Sequence, residues 1–266
     1  MANIHFWNGN KSEARNLFEL TLLRRVMEVS HLPNWTIEDD RTDYPEANDE
    51  AIIFSKGADI CVTVAGNPKF SPGDYLPVFE PLANGLLGHR LLIIREEDES
   101  QFANIKSLSE LKNLTHGIPA TWADAALFRD NGYNVNERGS LDDIFQRLKD
   151  KECDYVALGV NEIHGIYQQM AKPLGGLIIE PSLRLYYPYA LVFYVDPTNQ
   201  HLALIIEKGL MTLKKEGTFQ KMFLSFFGDA LQKSALQKRR LIQLHNKALP
   251  GELSDQMKNC HDQIII

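Results

Sequence analysis

The sequence predicts an α/β chain built from two units, each a mostly parallel sheet flanked by helices. Strand-like and helix-like segments alternate from residue 4 onward, and repeated strand-helix-strand wiring calls for a parallel sheet covered on both faces. The alternation restarts after residue 107, between two apolar strand-like runs at 85–96 and 185–195. We therefore expect lobe one to contain 1–88 and 190–266, and lobe two to contain 89–189, with the two runs as crossing strands that form a hinge.

The composition is that of a globular chain. It has 266 residues, of which 44% are hydrophobic, enough for two modest cores. A net charge of −7 argues against a general binder of nucleic acid or anionic membranes. No apolar run reaches the roughly 18 residues that a membrane span needs. The widely spaced Cys61, Cys153 and Cys260 indicate neither a disulfide framework nor a metal site.

The elements of lobe one follow from hydrophobic spacing. "IHFW" predicts a strand at 4–7, and apolar positions three and four apart predict a helix over 11–30. "WTIED" predicts a second strand and 47–56 a second helix. "ADICVTVA" predicts a buried strand over 58–65 that leaves at Gly66-Asn67-Pro68.

Lobe two repeats this order. Ser107 and Glu110 have the spacing of a capping box, "THGIP" predicts a strand, and 121–130 a helix. A strand at 133–136, a Ser-capped helix, a buried strand over 153–160, a helix over 161–171 and a strand at "GGLIIE" follow. Beyond the second apolar run, Asp196-Pro197 predicts a helix start, and the tail after 245 is expected to be irregular and partly mobile.

The helix predicted at 121–130 opens on a hydroxyl and a large ring. Thr121 at a helix start helps to make an anion or carbonyl site, because the first amides of a helix have no internal partners. The plain alternative is that Thr121 is an ordinary cap and Trp122 only packs. Residue types alone leave both interpretations open.

Three segments in this order resemble the two-lobed solute-binding proteins of bacterial ABC transporters. "SLSELKNLTHGIPATWADAALFRDNGYNV" resembles the opening of that family's second lobe, "FQRLKDKECDYVALGVNE" its "l..G..Da" segment, and "LIIEKGLMTLKKEGTFQKMFLSFFG" its closing helices. The resemblance covers roughly residues 4 to 230. It implies the type II periplasmic-binding-protein fold and capture of a small ligand by hinge closure at the carboxyl ends of the sheets.

The chain departs from the amino-acid binders of that family at two places. Where those proteins place an Arg that forks onto the ligand carboxylate, this chain has Ser71 or Pro72, and nearby Lys69 cannot make the same fork. Where they place an Asp for the ligand ammonium, counting from Asp154 reaches Gly159.

Several residues are candidates for the roles left vacant. Asn161 or Glu162 is expected to replace the missing Asp, and Arg90 or Lys69 to replace the Arg, although Arg90 is equally well a surface strand charge. If neither cation does so, a neutral or cationic ligand fits better than a plain α-amino acid. Rings that line a closing site stack on a ligand or hold a cation. The predicted ligand-binding set is Trp7, Thr63, Asn67, Gly85, Arg90, Thr121, Trp122, Asn161, Glu162 and Tyr187.

The resemblance and the residues together predict a periplasmic binding protein and no enzyme. Motifs for nucleotide, phosphate, zinc or serine-hydrolase chemistry are missing from the sequence, so no cofactor and no metal are expected. The expected partners are a small-molecule ligand and a membrane transporter permease, with no nucleic acid, and we expect a monomer. The alternatives are a sensory lobe of a membrane signalling protein and an enzyme on the same fold, which would need a paired acid and base.

Overall fold

The computed structural model describes residues 2–32, 34–44 and 46–265. The chain forms two compact units. The first runs through Asn84 and adds Ala190–Asp229 and Ala248–Met257; the second holds Gly85–Tyr189, Ala230–Lys247 and the residues from Lys258 onward. The expected lobes are corrected at the C-terminal end, since 230–247 and the residues after 257 belong with the second unit.

The first unit contains a five-stranded sheet in the order β2-β1-β3-β11-β4. Its strands are β1 (Ala2–Trp7), β2 (Trp35–Asp40), β3 (Ile60–Val64), β4 (Leu76–Val78) and β11 (Leu191–Val195). Strand β1 is parallel to β2 and β3, whereas β11 is antiparallel to β3 and β4. The helices of this unit are α1 (Glu13–Val29), α2 (Ala47–Ala51) and α8 (Gln200–Lys215), with α9 (Thr218–Ser234) mostly in it.

The second unit contains a seven-stranded sheet in the order β12-β10-β5-β8-β6-β7, with β9 also paired to β5. Its strands are β5 (His89–Arg95), β6 (Thr115–Ile118), β7 (Asn134–Glu137), β8 (Tyr155–Gly159), β9 (Leu177–Ile179), β10 (Leu183–Tyr186) and β12 (Arg240–Gln243). Its helices are α3 (Glu99–Ala103), α4 (Leu108–Lys112), α5 (Asp124–Asp130), α6 (Ile144–Lys149) and α7 (Ile163–Ile166).

Among the described strands, one strand in each sheet is antiparallel to its neighbours. The two apolar runs contain these two strands. The first run begins with a 3-10 turn at Leu86–Gly88 and becomes β5, which is antiparallel to β8, β9 and β10. The second run is interrupted around Pro188, so its start belongs to β10 and its end is β11. These strands are buried along their whole length, which explains their unbroken apolar sequence.

The predicted capping box at the start of α4 was confirmed, and the predicted start of α8 was wrong. The capping box at the start of α4 is present: Glu110 N donates to Ser107 Oγ, and Ser107 N donates to Glu110 Oε2. Helix α8 begins later than expected, because Asn199 rather than Asp196 caps it by accepting from Leu202 N at 3.1 Å. The expected helix over 161–171 is the short α7 followed by a π turn at Tyr167–Ala171.

The expectation of an irregular tail after 245 was wrong over Gly251–Leu253, a 3-10 turn, and over α10 (Ser254–Ile265). Strand β12, which precedes this tail, pairs in parallel with β10. In the first unit Leu253 and Met257 are fully buried in a cluster with Trp7, Phe70 and other apolar residues. Burial of these two apolar side chains against residues distant in the sequence favours the packed tail.

Candidate functional site

In the first unit, the carboxyl end of β1 lies beside the start of β3, since Trp7 is in register with Cys61. Trp7 is only 2% exposed, and its Nε1 donates to Thr42 O at 2.9 Å. The indole therefore packs in the core cluster and has its single donor occupied. Ligand contact by Trp7 stays a prediction, and the described contacts account for the residue as core.

A polar turn follows β3. Asn67 Nδ2 donates to Thr63 Oγ1 at 2.8 Å, and Asn67 Oδ1 accepts from Lys69 N at 3.1 Å. Both Thr63 and Asn67 are buried. The two predicted residues thus lie together, and their mutual hydrogen bond fixes the shape of this turn.

The two lysines that follow β1 and β3 in the chain are already paired with carboxylates. Lys69 Nζ lies 2.5 Å from Glu50 Oε2, and the nearly buried Lys11 Nζ lies 2.7 Å from Glu19 Oε2. Burial lowers the pKa of Lys11, and the charge of Glu19 opposes that shift. Because each ammonium has its own carboxylate, neither Lys69 nor Lys11 stands ready to receive a ligand carboxylate.

The second unit brings four chain segments to one sheet edge. Strands β6 and β8 are parallel, so the loops after them leave at the same edge. Strand β5 starts at that edge, with Arg90 opposite Gly159. Strand β10 ends there, with Tyr186 opposite His89. The predicted residues Arg90, Thr121, Trp122, Asn161, Glu162 and Tyr187 all lie on these segments.

Arg90 is the centre of a buried ionic network. Its Nη2 lies 3.1 Å from Asp124 Oδ2 and its Nη1 lies 4.0 Å from Glu162 Oε1. Its Nε donates to the hydroxyl of Tyr187 at 2.8 Å, and that hydroxyl donates to Asp124 Oδ2 at 3.0 Å. At 3% exposure Arg90 is no surface charge, so that alternative was wrong.

The network holds Arg90 charged. Burial acts to lower the pKa of Arg90, but Tyr187, Asp124 and Glu162 outweigh it and raise that pKa above its ordinary value. The ring of Tyr187 is fully buried, and its hydroxyl is occupied by two members of the network. Arg90 and Tyr187 therefore hold the carboxylate of Asp124 in place, and Arg90 also lies near that of Glu162. Sequence reasoning missed Asp124, whose only signal is its position two residues after Trp122.

The turn between β6 and α5 has an unusual backbone. Thr121 has φ of +66°, a left-handed conformation that costs a β-branched residue energy. Its N donates to Glu137 Oε1 at 3.1 Å, and its hydroxyl makes no hydrogen bond within the described residues. Thr121 is not the helix cap, because α5 begins at Asp124 behind Ala123. Trp122 is half-buried.

The loop after β8 contains an acceptor without a donor. Asn161 is 8% exposed, and its Oδ1 is buried with no hydrogen-bond partner among the described residues. A Cβ placed on Gly159 would lie 2.3 Å from that oxygen. The amide of Asn161 therefore lies over the backbone of Gly159, in space that any other residue at 159 would occupy.

Gly85 serves the backbone at the start of the second unit. It has φ of +69° and accepts from Gly88 N at 3.0 Å, which closes the turn that leads into β5. The left-handed conformation suits glycine because it has no Cβ. A contact of Gly85 with ligand stays a prediction.

No helix in the described ranges is both long and apolar enough to cross a membrane. Within the same ranges, no group of three or more His, Cys, Asp or Glu side chains has the arrangement of a metal site.

Comparison with known proteins identifies the fold. No family model matches the chain, and no curated protein matches it. Among solved structures, it resembles the GluR0 ligand-binding core in complex with L-glutamate, with a TM-score of 0.63 and 14% identity over 86% of this chain and 99% of that one.

Two further structures are similar to this chain. The probable amino-acid ABC transporter extracellular-binding protein ytmK from Bacillus subtilis has a TM-score of 0.60 and 14% identity over 86% of this chain and 99% of that one. A histidine kinase sensor domain with similarity to periplasmic binding proteins has a TM-score of 0.59 and 14% identity over 85% and 96%. The chain has the type II periplasmic-binding-protein fold, which confirms the fold that the sequence predicts.

Proposed function

We propose that this protein is a periplasmic solute-binding protein that captures a small polar ligand by hinge closure and delivers it to a membrane transporter. The fold supports a binding role, since the similar solved structures include a ligand-binding core and a transporter's extracellular-binding protein. In α/β folds, ligands bind outside the carboxyl ends of the strands. Asn67 follows β3 in the first unit, and Thr121 and Asn161 follow β6 and β8 in the second.

The unpartnered oxygen of Asn161 is the observation that carries this proposal. A buried acceptor left without a donor costs about 1 to 3 kcal/mol, so a folded protein retains one where something else completes it. Asn161 follows β8, and Thr121, whose hydroxyl makes no hydrogen bond within the described residues, follows the neighbouring β6. Two polar groups with free hydrogen-bonding capacity at one sheet edge suit a polar ligand.

Binding without chemical conversion fits the state of the ionisable groups. Asp124 is committed to Arg90 and Tyr187, and His116 Nε2 accepts from Ala157 N at 3.1 Å. Burial, with a smaller effect of Arg90, keeps the pKa of His116 well below its usual range. A poised acid and base, which the enzyme alternative needs, is not formed by these groups.

The sensory lobe of a membrane signalling protein is the second candidate. A histidine kinase sensor domain is among the similar structures, at nearly the same TM-score as ytmK. Both candidates bind a small ligand with the same unit architecture and differ in the membrane partner. A deletion strain separates them: loss of labelled-ligand uptake supports the carrier, whereas normal uptake with loss of a ligand-dependent transcriptional response supports the sensor.

A thermal-shift screen tests ligand binding itself. The panel contains amino acids, polyamines, nucleosides, sugars and short peptides, and a ligand at 100 times its dissociation constant adds about 2.7 kcal/mol of stability. The Asn161→Leu variant is screened in parallel. We expect a hit whose shift shrinks in this variant; a panel with no hit, or a hit that Asn161→Leu leaves unchanged, argues against the site.

A further inference from the structure

Four arginines among the described residues are buried, and all four lie in the second unit. Three of them pair with two carboxylates each, at 4.0 Å or less: Arg90 with Asp124 and Glu162, Arg95 with Asp98 and Asp154, and Arg147 with Asp143 and Glu152. Arg184, at 5% exposure, makes no ion pair with any carboxylate of the described residues. Burial lowers the pKa of Arg184, and no carboxylate opposes the shift. Since a buried cation without a counter-charge is costly, an anion from outside the chain would stabilise the folded protein here.

One edge of the Arg184 guanidinium has no protein partner. Its Nη1 donates to Nδ1 of His89 at 3.4 Å, and no other atom of the group forms a hydrogen bond within the described ranges. The Nε atom is buried, and its hydrogen is unbonded among the same residues. Nε and Nη2 form the edge through which an arginine donates side by side to two oxygens of one anion. This edge of Arg184 therefore suits an anion that supplies two acceptors.

His89 fixes the orientation of that guanidinium. Arginine has donors only, so Nδ1 of His89 is the acceptor, and the neutral ring carries its hydrogen on Nε2. His89 is fully buried, and its Nε2 has no partner in the part of the chain that the structure describes. His261 of α10 stacks on His89 with ring centroids 5.0 Å apart, and its buried Nδ1 also has no partner there. The cluster thus contains more hydrogen-bonding capacity than the described residues satisfy.

The cluster lies on the opposite sheet face from the Arg90 network. Tyr186 of β10 is in register with His89 of β5, and residues two apart on a strand share a face. Arg184, two residues before Tyr186, therefore shares a face with His89. Arg90 follows His89 directly, so its side chain points to the other face. An anion at Arg184 is thus separate from a ligand held on the Arg90 side.

We propose that Arg184 binds a small oxyanion, donating from Nε and Nη2 to two of its oxygens while His89 holds the guanidinium in place. This site is additional to the ligand site of the proposed function. Phosphate and sulfate each supply a counter-charge and several acceptor oxygens in one ion. A free carboxylate offers the same pair of oxygens, whereas chloride supplies charge without that pair.

The Nε–H signal of Arg184 tests the contact directly. Protein labelled with ¹⁵N-arginine is titrated with phosphate, sulfate, acetate and chloride at constant ionic strength, and the signal is assigned by its loss in Arg184→Lys. We expect a saturable shift with at least one oxyanion and none with chloride. Saturation by acetate alone identifies a carboxylate as the source of the oxygens. A signal that no oxyanion moves overturns the proposal, because water then satisfies the edge; an equal response to chloride overturns the two-oxygen geometry.

Thermal unfolding of Arg184→Met separates binding from the general effect of salt. Phosphate and sulfate stabilise proteins without a specific site, and this variant measures that contribution. In phosphate the melting temperature of the unsubstituted protein should rise more than that of Arg184→Met at equal ionic strength. In chloride Arg184→Met should be at least as stable as the unsubstituted protein, since no carboxylate of the described residues loses its cation.

Arg147→Met is the matched control, because Arg147 is similarly buried but paired with Glu152 at 3.1 Å. It should lower the melting temperature in both salts and keep the extra rise in phosphate. Equal rises in Arg184→Met and the unsubstituted protein overturn the proposal. If Arg184→Met does not fold, Arg184→Lys retains the charge without the fork and should bind the oxyanion about tenfold or more weakly in isothermal titration calorimetry. Unchanged affinity in Arg184→Lys also overturns the proposal.

Discussion

Replacing Arg90 with methionine should destabilise the second unit strongly. Methionine fills part of the space of the aliphatic stem but leaves Asp124, whose side chain is 4% exposed, without its cation at 3.1 Å. The hydroxyl of Tyr187 also loses its 2.8 Å donor. Removing one partner of a buried ion pair costs about 3 to 5 kcal/mol, a large part of the stability of an ordinary domain.

An exposed pair provides the matched control. Arg25 Nη1 lies 2.7 Å from Glu28 Oε2, closer than Arg90 lies to Asp124, yet both side chains are about half exposed. Exposed pairs contribute about 0 to 1 kcal/mol, so Arg25→Met should change stability little despite the shorter distance. Burial, rather than distance, decides the difference.

Urea unfolding followed by circular dichroism measures both variants. We expect Arg90→Met to lower the midpoint of the transition that reports the second unit, with little change in slope. The double variant Arg90→Met with Asp124→Asn should recover part of the loss, because the uncompensated charge is removed as well. The reasoning is refuted if Arg90→Met costs no more than Arg25→Met.

Three further measurements address the tail, the strained turn and a histidine pair. Leu253→Ala should cost about 2 to 5 kcal/mol in urea unfolding, because Leu253 is fully buried, while Leu204→Ala, at a residue 51% exposed, should cost much less; equal effects would contradict the packed tail. Thr121→Gly should stabilise the ligand-free protein by roughly 1 kcal/mol in the same assay, because glycine adopts φ of +66° without strain, and a loss of stability would count against strain. Burial, together with the charges of His261, which stacks on His89, and of Arg184, lowers the pKa of His89 to about 3. The folded protein therefore favours neutral His89. Its stability should fall as the pH drops from about 6.5 toward 3, by up to about 1.4 kcal/mol per pH unit. His89→Gln should flatten that dependence in unfolding curves at several pH values, and an unchanged profile would exclude His89 as its source.

Local pattern predicted the strands and helices because their signals lie within a few residues. Alternating strand and helix segments reproduce the two sheets, and the Ser107 capping box is where its spacing predicts it. The buried apolar runs were predicted as strands, and they contain β5, the end of β10 and β11. Such signals depend on a residue's own neighbours, so one sequence is enough to read them.

The tail was misjudged because its order depends on distant partners. Pro250 and Gly251 are typical of irregular chain, and α10 is mostly polar. Yet Leu253 and Met257 are buried in the cluster that contains Trp7, far away in the sequence. Burial against remote residues overrides local preference, and composition in a short window does not contain that information.

The ionic contacts of the candidate site also depend on residues that are distant in the sequence. Arg90, Asp124, Glu162 and Tyr187 come from four separate elements, so the sequence presents a lone arginine where the fold contains a buried network. Counting along the chain pointed to Gly159 as a missing acid. Asn161, two residues later, was predicted as one replacement, and its amide oxygen lies where a Cβ of residue 159 would be. A spacing rule assumes that each position contributes its own side chain. Here the glycine at 159 contributes space, and the side chain of Asn161 fills that space.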